Sequence, residues 1–208
     1  MRQRAVPATP VLARKRASLD ASAWVVPARC ERADALMDMR AAWPPLHAGG
    51  APTFEQASEA DFEVLLQIRL VAMRSSLEQI GRFDPLRARQ RLAASWDPAM
   101  TQHILCDGQR VGFFMLRRTD HALVLQHLYL MPFAQGRGVG SAVMRTLIDE
   151  SNWAGLPLRV TALRGSPANA FYLKHGFVRC SADEYDLGYV RAPDRDAGAR
   201  AATTSPKG

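Results

Sequence analysis

From residue 52 onward the apolar positions switch between two periods, and each switch marks an element. Thr53–Gln56 reads as a short strand. Ser58, with Asp61 three residues on, reads as a helix N-cap with a capping-box acid. Phe62, Leu65, Leu66, Arg69, Leu70 and Met73 then fall on one stripe at helical spacing. Ser75–Ile80 follows as a second, short helical piece closed by Gly81. Asp84-Pro85 is a cap with proline at the first helical position, opening Leu86–Ser95. Gln102–Cys106 and Arg110–Leu116 flank Asp107-Gly108, a hairpin signal. Val124–Leu130 is apolar almost throughout, as a strand covered on both faces would be. Val139, Val143, Met144, Leu147 and Ile148 return to helical spacing. Pro157 opens a strand over Leu158–Leu163, and Ser166-Pro167 starts a helix with Gly176 as its C′ residue. Phe177–Cys180 and Tyr185–Val190 are the last two strands. The order β-α-α-β-β-β-α-β-α-β-β predicts an α/β chain on a mixed α+β sheet with helices on both faces, rather than a doubly wound parallel sheet.

Composition limits this picture at both ends. Of the 208 residues, 1–50 are rich in Ala, Arg and Pro and read as a disordered extension with one short helix over Ala33–Ala42. The folded domain is expected at 51–191, and 192–208 is a small, polar tail. The formal charge of +7 is uneven: residues 1–50 hold eight basic and four acidic side chains, residues 51–190 hold 15 and 14. Basicity thus sits mainly in the flanks, so no specific nucleic-acid partner is expected of the domain. No long apolar run predicts a membrane span, and no apolar segment follows the basic start. Three cysteines without CxxC spacing predict a reducing, cytoplasmic setting, no metal site, and Cys106 and Cys180 as small buried strand residues.

Chemistry enters at the loop between Leu130 and Val143. Pro132 stops the strand, and Gln135-Gly136-Arg137-Gly138-Val139-Gly140 leads into a helix. Glycines at a helix start let the backbone approach a ligand, and the exposed N–H groups with the helix dipole favour an anion such as phosphate. A P-loop requires a lysine where the chain has only Gly140-Ser141. A dinucleotide fingerprint requires glycine at Ser141 and a place after the first strand of a βαβ unit.

Some thirty residues later comes Ala168-Asn169-Ala170-Phe171-Tyr172-Leu173-Lys174-His175-Gly176-Phe177. Together, loop and helix resemble the GNAT superfamily of N-acetyltransferases. Gln135–Gly140 fits that family's Q/R-x-x-G-x-G/A, and Ala168–Phe177 fits its A-x-x-x-Y-x-K-x-G-F. The resemblance spans roughly Pro52 to Arg191 and implies a GNAT fold of about seven mostly antiparallel strands. It implies acetyl-CoA as cosubstrate and an amine as acceptor, with no metal, in a monomer or homodimer. The coenzyme A pyrophosphate is expected on the N–H groups of Arg137, Gly138, Val139, Gly140 and Ser141, with Gln135, Gly136 and the Arg137 side chain around it. The pantetheine arm is expected to pair like a strand with the backbone of Leu128 and Leu130, where the family's central strand parts from the next. Pro132 and Pro157 are read as limits on pairing there.

For the chemistry, the resemblance makes Tyr172 the acid that protonates the leaving thiolate. Many relatives keep a base on the central strand. Strict alternation from Leu128 and Leu130 puts Gln126 and Val124 on that face, and neither is a base; His127 is sent to the other face, as a packed histidine. Asn169 is expected near the cofactor, although Gly165 stands where many relatives carry an asparagine, with Ser166 as a substitute. The acceptor region implied, Met73–Phe83 with Ala182–Tyr189, brings Arg74, Glu78 and Arg82 towards Asp183, Glu184 and Asp186. Those acids read equally as a hold for a cationic amine or as ordinary loop charges. The rival expectation is a CoA-binding module without catalysis.

Overall fold

The computed structural model describes residues 51–194. The N-terminal extension, its expected helix and the tail beyond residue 194 lie outside the described residues. Strands β1 (Thr53–Gln56), β2 (Thr101–Cys106), β3 (Gln109–Arg118), β4 (Leu123–Leu130), β5 (Leu158–Leu163), β6 (Val178–Ala182) and β7 (Asp186–Arg191) form one sheet in the order β1-β2-β3-β4-β5-β7-β6. All neighbours are antiparallel except β4 and β5. Four α-helices are described: α1 (Phe62–Gln79), α2 (Pro85–Ser95), α3 (Val139–Ala154) and α4 (Pro167–Lys174). The predicted mixed α/β sheet is therefore what the chain forms, and its helices lie on both faces.

Local residues set the boundaries. The Asp61 carboxylate accepts from Ser58 N and Oγ at 2.8 and 2.7 Å, and Asp84 Oδ1 accepts from Arg87 N at 3.0 Å with Pro85 in the first turn. Asp107 and Gly108 take φ of +50° and +76°, the primed geometry that matches the twist of a two-residue hairpin. The two helical pieces expected over 62–80 are one helix. No Gly or Pro stands between Met73 and Leu77, and Arg74 pairs with Glu78 one turn on at 2.8 Å.

Two apolar layers hold the sheet. On one face Leu123 and Leu125 of β4, Phe114 of β3 and Val160 of β5 pack against Val143, Met144 and Leu147 of α3 and Tyr172 of α4. On the other, Phe113, His127 and Tyr129 meet α1 and α2 through Arg69 and Ser95. Cys106 is buried as expected, but Cys180 is exposed: β6 is an edge strand, and all five of its residues face solvent.

A bulge in β4 changes which residues share a face. Met115 pairs with His127, whereas the next residue, Leu116, pairs with Leu125, so Gln126 is an extra residue in β4. Leu123 and Leu125 therefore lie with Leu128 and Leu130, while Val124 pairs with Arg117 on the opposite face. The expected placement of Val124 and Gln126 beside Leu128 fails for that reason: alternation holds only within an unbroken ladder. The strand is also not covered throughout, since beyond Leu125 every residue of β4 is only half-buried.

Candidate functional site

β4 and β5 run together for three residue pairs and then separate. Their register covers Leu123–Leu125 against Leu158–Val160 and stops there. Pro157 sits at the joined end, where its carbonyl accepts from Leu123 N at 2.9 Å. It does not limit pairing as expected; the gap opens at the other end, beyond the bulge. Met131 N donates to Val111 O at 2.8 Å, and Tyr129 pairs with Phe113. Residues 127, 129 and 131 thus turn their backbone groups towards β3, and Leu128 and Leu130 turn theirs into the gap. Leu130 O is already met there by Gln135 Nε2 at 2.8 Å.

The glycine loop stands at the mouth of this gap. Gly138 is the N-cap residue of α3 with φ of +82°, a conformation that glycine adopts without strain. No side chain caps α3, so the first-turn N–H groups are left pointing out of the helix. A Cβ at Gly136 or Gly138 would meet nothing within 4 Å, which leaves open space above the loop. Gln135, Gly136, Arg137 and Gly138 are exposed, Gly140 and Ser141 half-buried, and Val139 anchors the loop in the core. This is a surface suited to an anion that touches backbone.

Tyr172 is only 5% exposed, between Phe177 and Tyr189 with ring centroids at 5.6 and 5.9 Å. Burial pushes its phenol well above the usual tyrosine value, and the Tyr129 phenol nearby adds to the shift. Tyr129 is raised as well, chiefly by burial; Arg69 and Arg91 act against the rise and Asp186 with it. Both tyrosines hold their protons at neutral pH. His127 is the packed histidine expected: Nε2 lies 2.8 Å from Ser95 Oγ, and burial with the Arg69 charge pushes its pKa down to about 4. Asn169 works inside the fold. Its Nδ2 donates to Leu163 O and Ser166 O, both at 2.8 Å, and its Oδ1 accepts from Tyr189 O–H at 2.8 Å.

A sequence profile described as an acetyltransferase (GNAT) domain matches residues 101–179, from β2 into β6. The stretch from β2 into β6 is thus similar to a GNAT domain. Solved structures agree on the fold. A PaiA N-acetyltransferase from Thermoplasma acidophilum, in complex with coenzyme A, is 18% identical with a TM-score of 0.52, over 69% of this chain and 99% of its own. An acetyltransferase from Thermus thermophilus is 18% identical with a TM-score of 0.55, over 70% and 99%. N-acetylglutamate synthase from Neisseria gonorrhoeae, with coenzyme A and N-acetyl-glutamate, is 20% identical with a TM-score of 0.52, over 71% of this chain and 36% of its own. No curated protein sequence matches significantly.

Beside the gap lies a groove between α1, α2 and the β6–β7 turn. It is lined by Arg69, Arg82, Arg87 and Arg91, by Asp84 and Asp186, and by Leu163 at the end of β5. The acids expected there are mostly engaged elsewhere. Glu78 pairs with Arg74, Asp183 Oδ1 accepts from Tyr185 N and Asp186 N at 2.9 and 2.7 Å, and Glu184 accepts from Tyr185 O–H. Two residues went unmarked by the motifs: Arg69, which lines the groove, and Tyr129, which lies beside it. Arg69 is 8% exposed, with its guanidinium 5.8 Å from the Tyr129 ring centre. Its signal was a charge inside the apolar stripe of α1, a place where a charge needs a reason. Tyr129 had only a hydroxyl in a mostly apolar strand to mark it.

Proposed function

We propose that this chain is an acetyl-CoA-dependent N-acetyltransferase that passes an acetyl group to a primary amine by direct attack. The observation that carries the reading is the parting of β4 from β5 with the Leu128 and Leu130 backbone turned into the gap and the uncapped start of α3 at its mouth. In this reading the N–H groups of residues 137–141 hold the pyrophosphate, with Gln135 and Gly136 shaping the rim. The amides of the pantetheine arm pair along β4. The cosubstrate supplies an acyl thioester, and the chain's residues do the rest.

An amine must arrive, lose a proton, and leave a protonated thiol behind. Tyr172, buried and protonated, is the proton donor to the departing sulfur. Its raised pKa makes the transfer harder than from an ordinary phenol, so the donation is tied to the moment when negative charge builds on sulfur. Asp186 is the groove carboxylate we assign to the amine, since Asp84 caps α2 and the other acids are engaged as described. The Asn169 amide supports Tyr189 and the start of α4, and so the placement of Tyr172 on that helix.

The test is acetyl-CoA turnover against amines, amino acids and peptides, with Tyr172→Phe beside the parent. Loss of a positioned acid lowers kcat by about 10²- to 10⁴-fold, and calorimetry should find coenzyme A affinity little changed. Unchanged turnover in the variant removes Tyr172 from the mechanism. The second reading, a CoA-binding module without catalysis, draws on one observation: on β4, Val124 and Gln126 carry no base, and His127 is a weak one held against Ser95. Tight coenzyme A binding with no turnover of any acceptor would select it.

A further inference from the structure

We infer that the acceptor of this chain is an amine that also carries a carboxylate, seated on Arg69 at the floor of the groove; the inference rests on the transferase reading above. Arg69 lines the groove from α1 and is more than nine-tenths buried. Its Nη1 makes no hydrogen bond. Among the described residues no carboxylate lies within ion-pair distance of it, whereas Arg74 pairs with Glu78, Arg89 with Glu63, and Arg110 with Asp61 and Glu55. A guanidinium is charged at every relevant pH, and leaving it buried and unpaired is strongly unfavourable. Its neighbours do not supply the anion. His127 is neutral and Tyr129 stays a phenol, whose ring face offers only a distant cation–π contact.

The surroundings repeat the same sign. Arg82, Arg87 and Arg91 line the groove with Arg69, against two carboxylates, and Asp84 already accepts from the α2 backbone. Arg82 is stacked over the Tyr185 ring at 3.8 Å, which fixes its charge at the wall. The groove therefore presents a buried cation at its floor, further cations at its rim, and Asp186 at the β7 side. A molecule with a carboxylate and an ammonium close together answers both: the carboxylate meets the planar Arg69 fork, and the ammonium meets Asp186. Asp186 and Arg69 both act electrostatically on Tyr129, with opposite signs. Tyr129 in turn acts on Tyr172, the proposed proton donor. Free α-amino acids have this chemistry; neutral or purely cationic amines leave Arg69 unanswered.

The experiment compares α-amino acids with their own primary amides and with simple alkylamines. It measures both acetylation and binding to the coenzyme A-saturated protein by calorimetry. Amino acids should exceed their amides by roughly 10- to 100-fold in kcat/KM, as expected for one charged hydrogen-bonded pair. Arg69→Gln should bring that ratio close to one by raising KM for the acids, and Arg69→Lys should restore part of it. Arg69 packs against Tyr129, so a second variant guards against misfolding. Arg87→Gln with Arg91→Gln alters only exposed side chains and should raise KM for the acids alone, by a few-fold. Amino acids that bind in preference to their amides but are not acetylated would leave the carboxylate site standing and remove the transferase reading. Amides acetylated as well as acids would do the reverse. No binding and no turnover of any amino acid would overturn both.

Discussion

The two faces of β4 have different duties. On one, Leu123, Leu125, Leu128 and Leu130 pack towards α3 and α4 with hydrocarbon alone. On the other, His127 and Tyr129, both half-buried, meet the buried Arg69 and the half-buried Ser95, a set of polar groups. A polar layer beneath a sheet is expensive unless its members satisfy one another or a ligand. The apolar face thus holds the strand in place, and the polar face stands where charge has to be handled. The bulge at Gln126 connects the two roles, because it lets four leucines share a face although the strand carries one residue too many for strict alternation.

That division can be broken from the apolar side first. Leu125 is 1% exposed in the core against α3, so Leu125→Ala should cost about 2–5 kcal/mol in chemical denaturation. A loss well under 1 kcal/mol would mean that this face does not hold the strand.

The polar face should show itself through pH instead. His127 titrates near pH 4 in the fold against an ordinary value of 6.5, because burial and Arg69 disfavour its cation. A depressed value means that the unfolded chain binds the proton first. The stability contribution is complete above pH 6.5 and is lost as pH falls towards 4, by up to about 3 kcal/mol. His103, fully buried within β2 and also lowered by burial and by Arg110, adds to the slope in the same direction. His127→Asn should therefore flatten the acid limb of a stability–pH curve only in part. An unaltered limb would place His127 outside the polar layer's energetics.

Element order was readable because most boundaries carry their own local chemistry. Asp84 accepts from Arg87 N three residues on, Asp107-Gly108 take the positive φ of a two-residue turn, and Pro167 sits in the first turn of its helix. The glycine loop and the Tyr172 helix were readable for a related reason: each is one short segment whose spacing is its geometry. The bulge was not, since no Gly or Pro marks Gln126 and the register arises from pairing with β3. The groove was only half visible. Its charges come from α1, α2 and the β6–β7 turn, far apart in sequence, and hydrogen bonding within each element decides which acids remain available. Asp183 and Asp186 look alike in sequence, yet the first ties down its own turn and the second lines the groove. Arg69 could be noticed as a charge in an apolar stripe, but its unanswered Nη1 is a tertiary fact.

The smallest effect concerns the seam between the halves. Asn169 was expected at the cofactor, and in the fold its amide joins Leu163 of β5, Ser166 before α4, and Tyr189 of β7. Tyr189→Phe removes one of these bonds and leaves the ring in the core, so it should cost about 0.5–1.5 kcal/mol of stability. If Asn169 is a brace, coenzyme A affinity changes less than twofold while the denaturation midpoint drops. If Asn169 instead contacts the cofactor, releasing its Oδ1 from Tyr189 should alter that affinity by more than it alters stability. Asn169→Ala then separates the two a second time: as a brace it must cost more than Tyr189→Phe, because it also abandons the Leu163 and Ser166 carbonyls, both held at 2.8 Å.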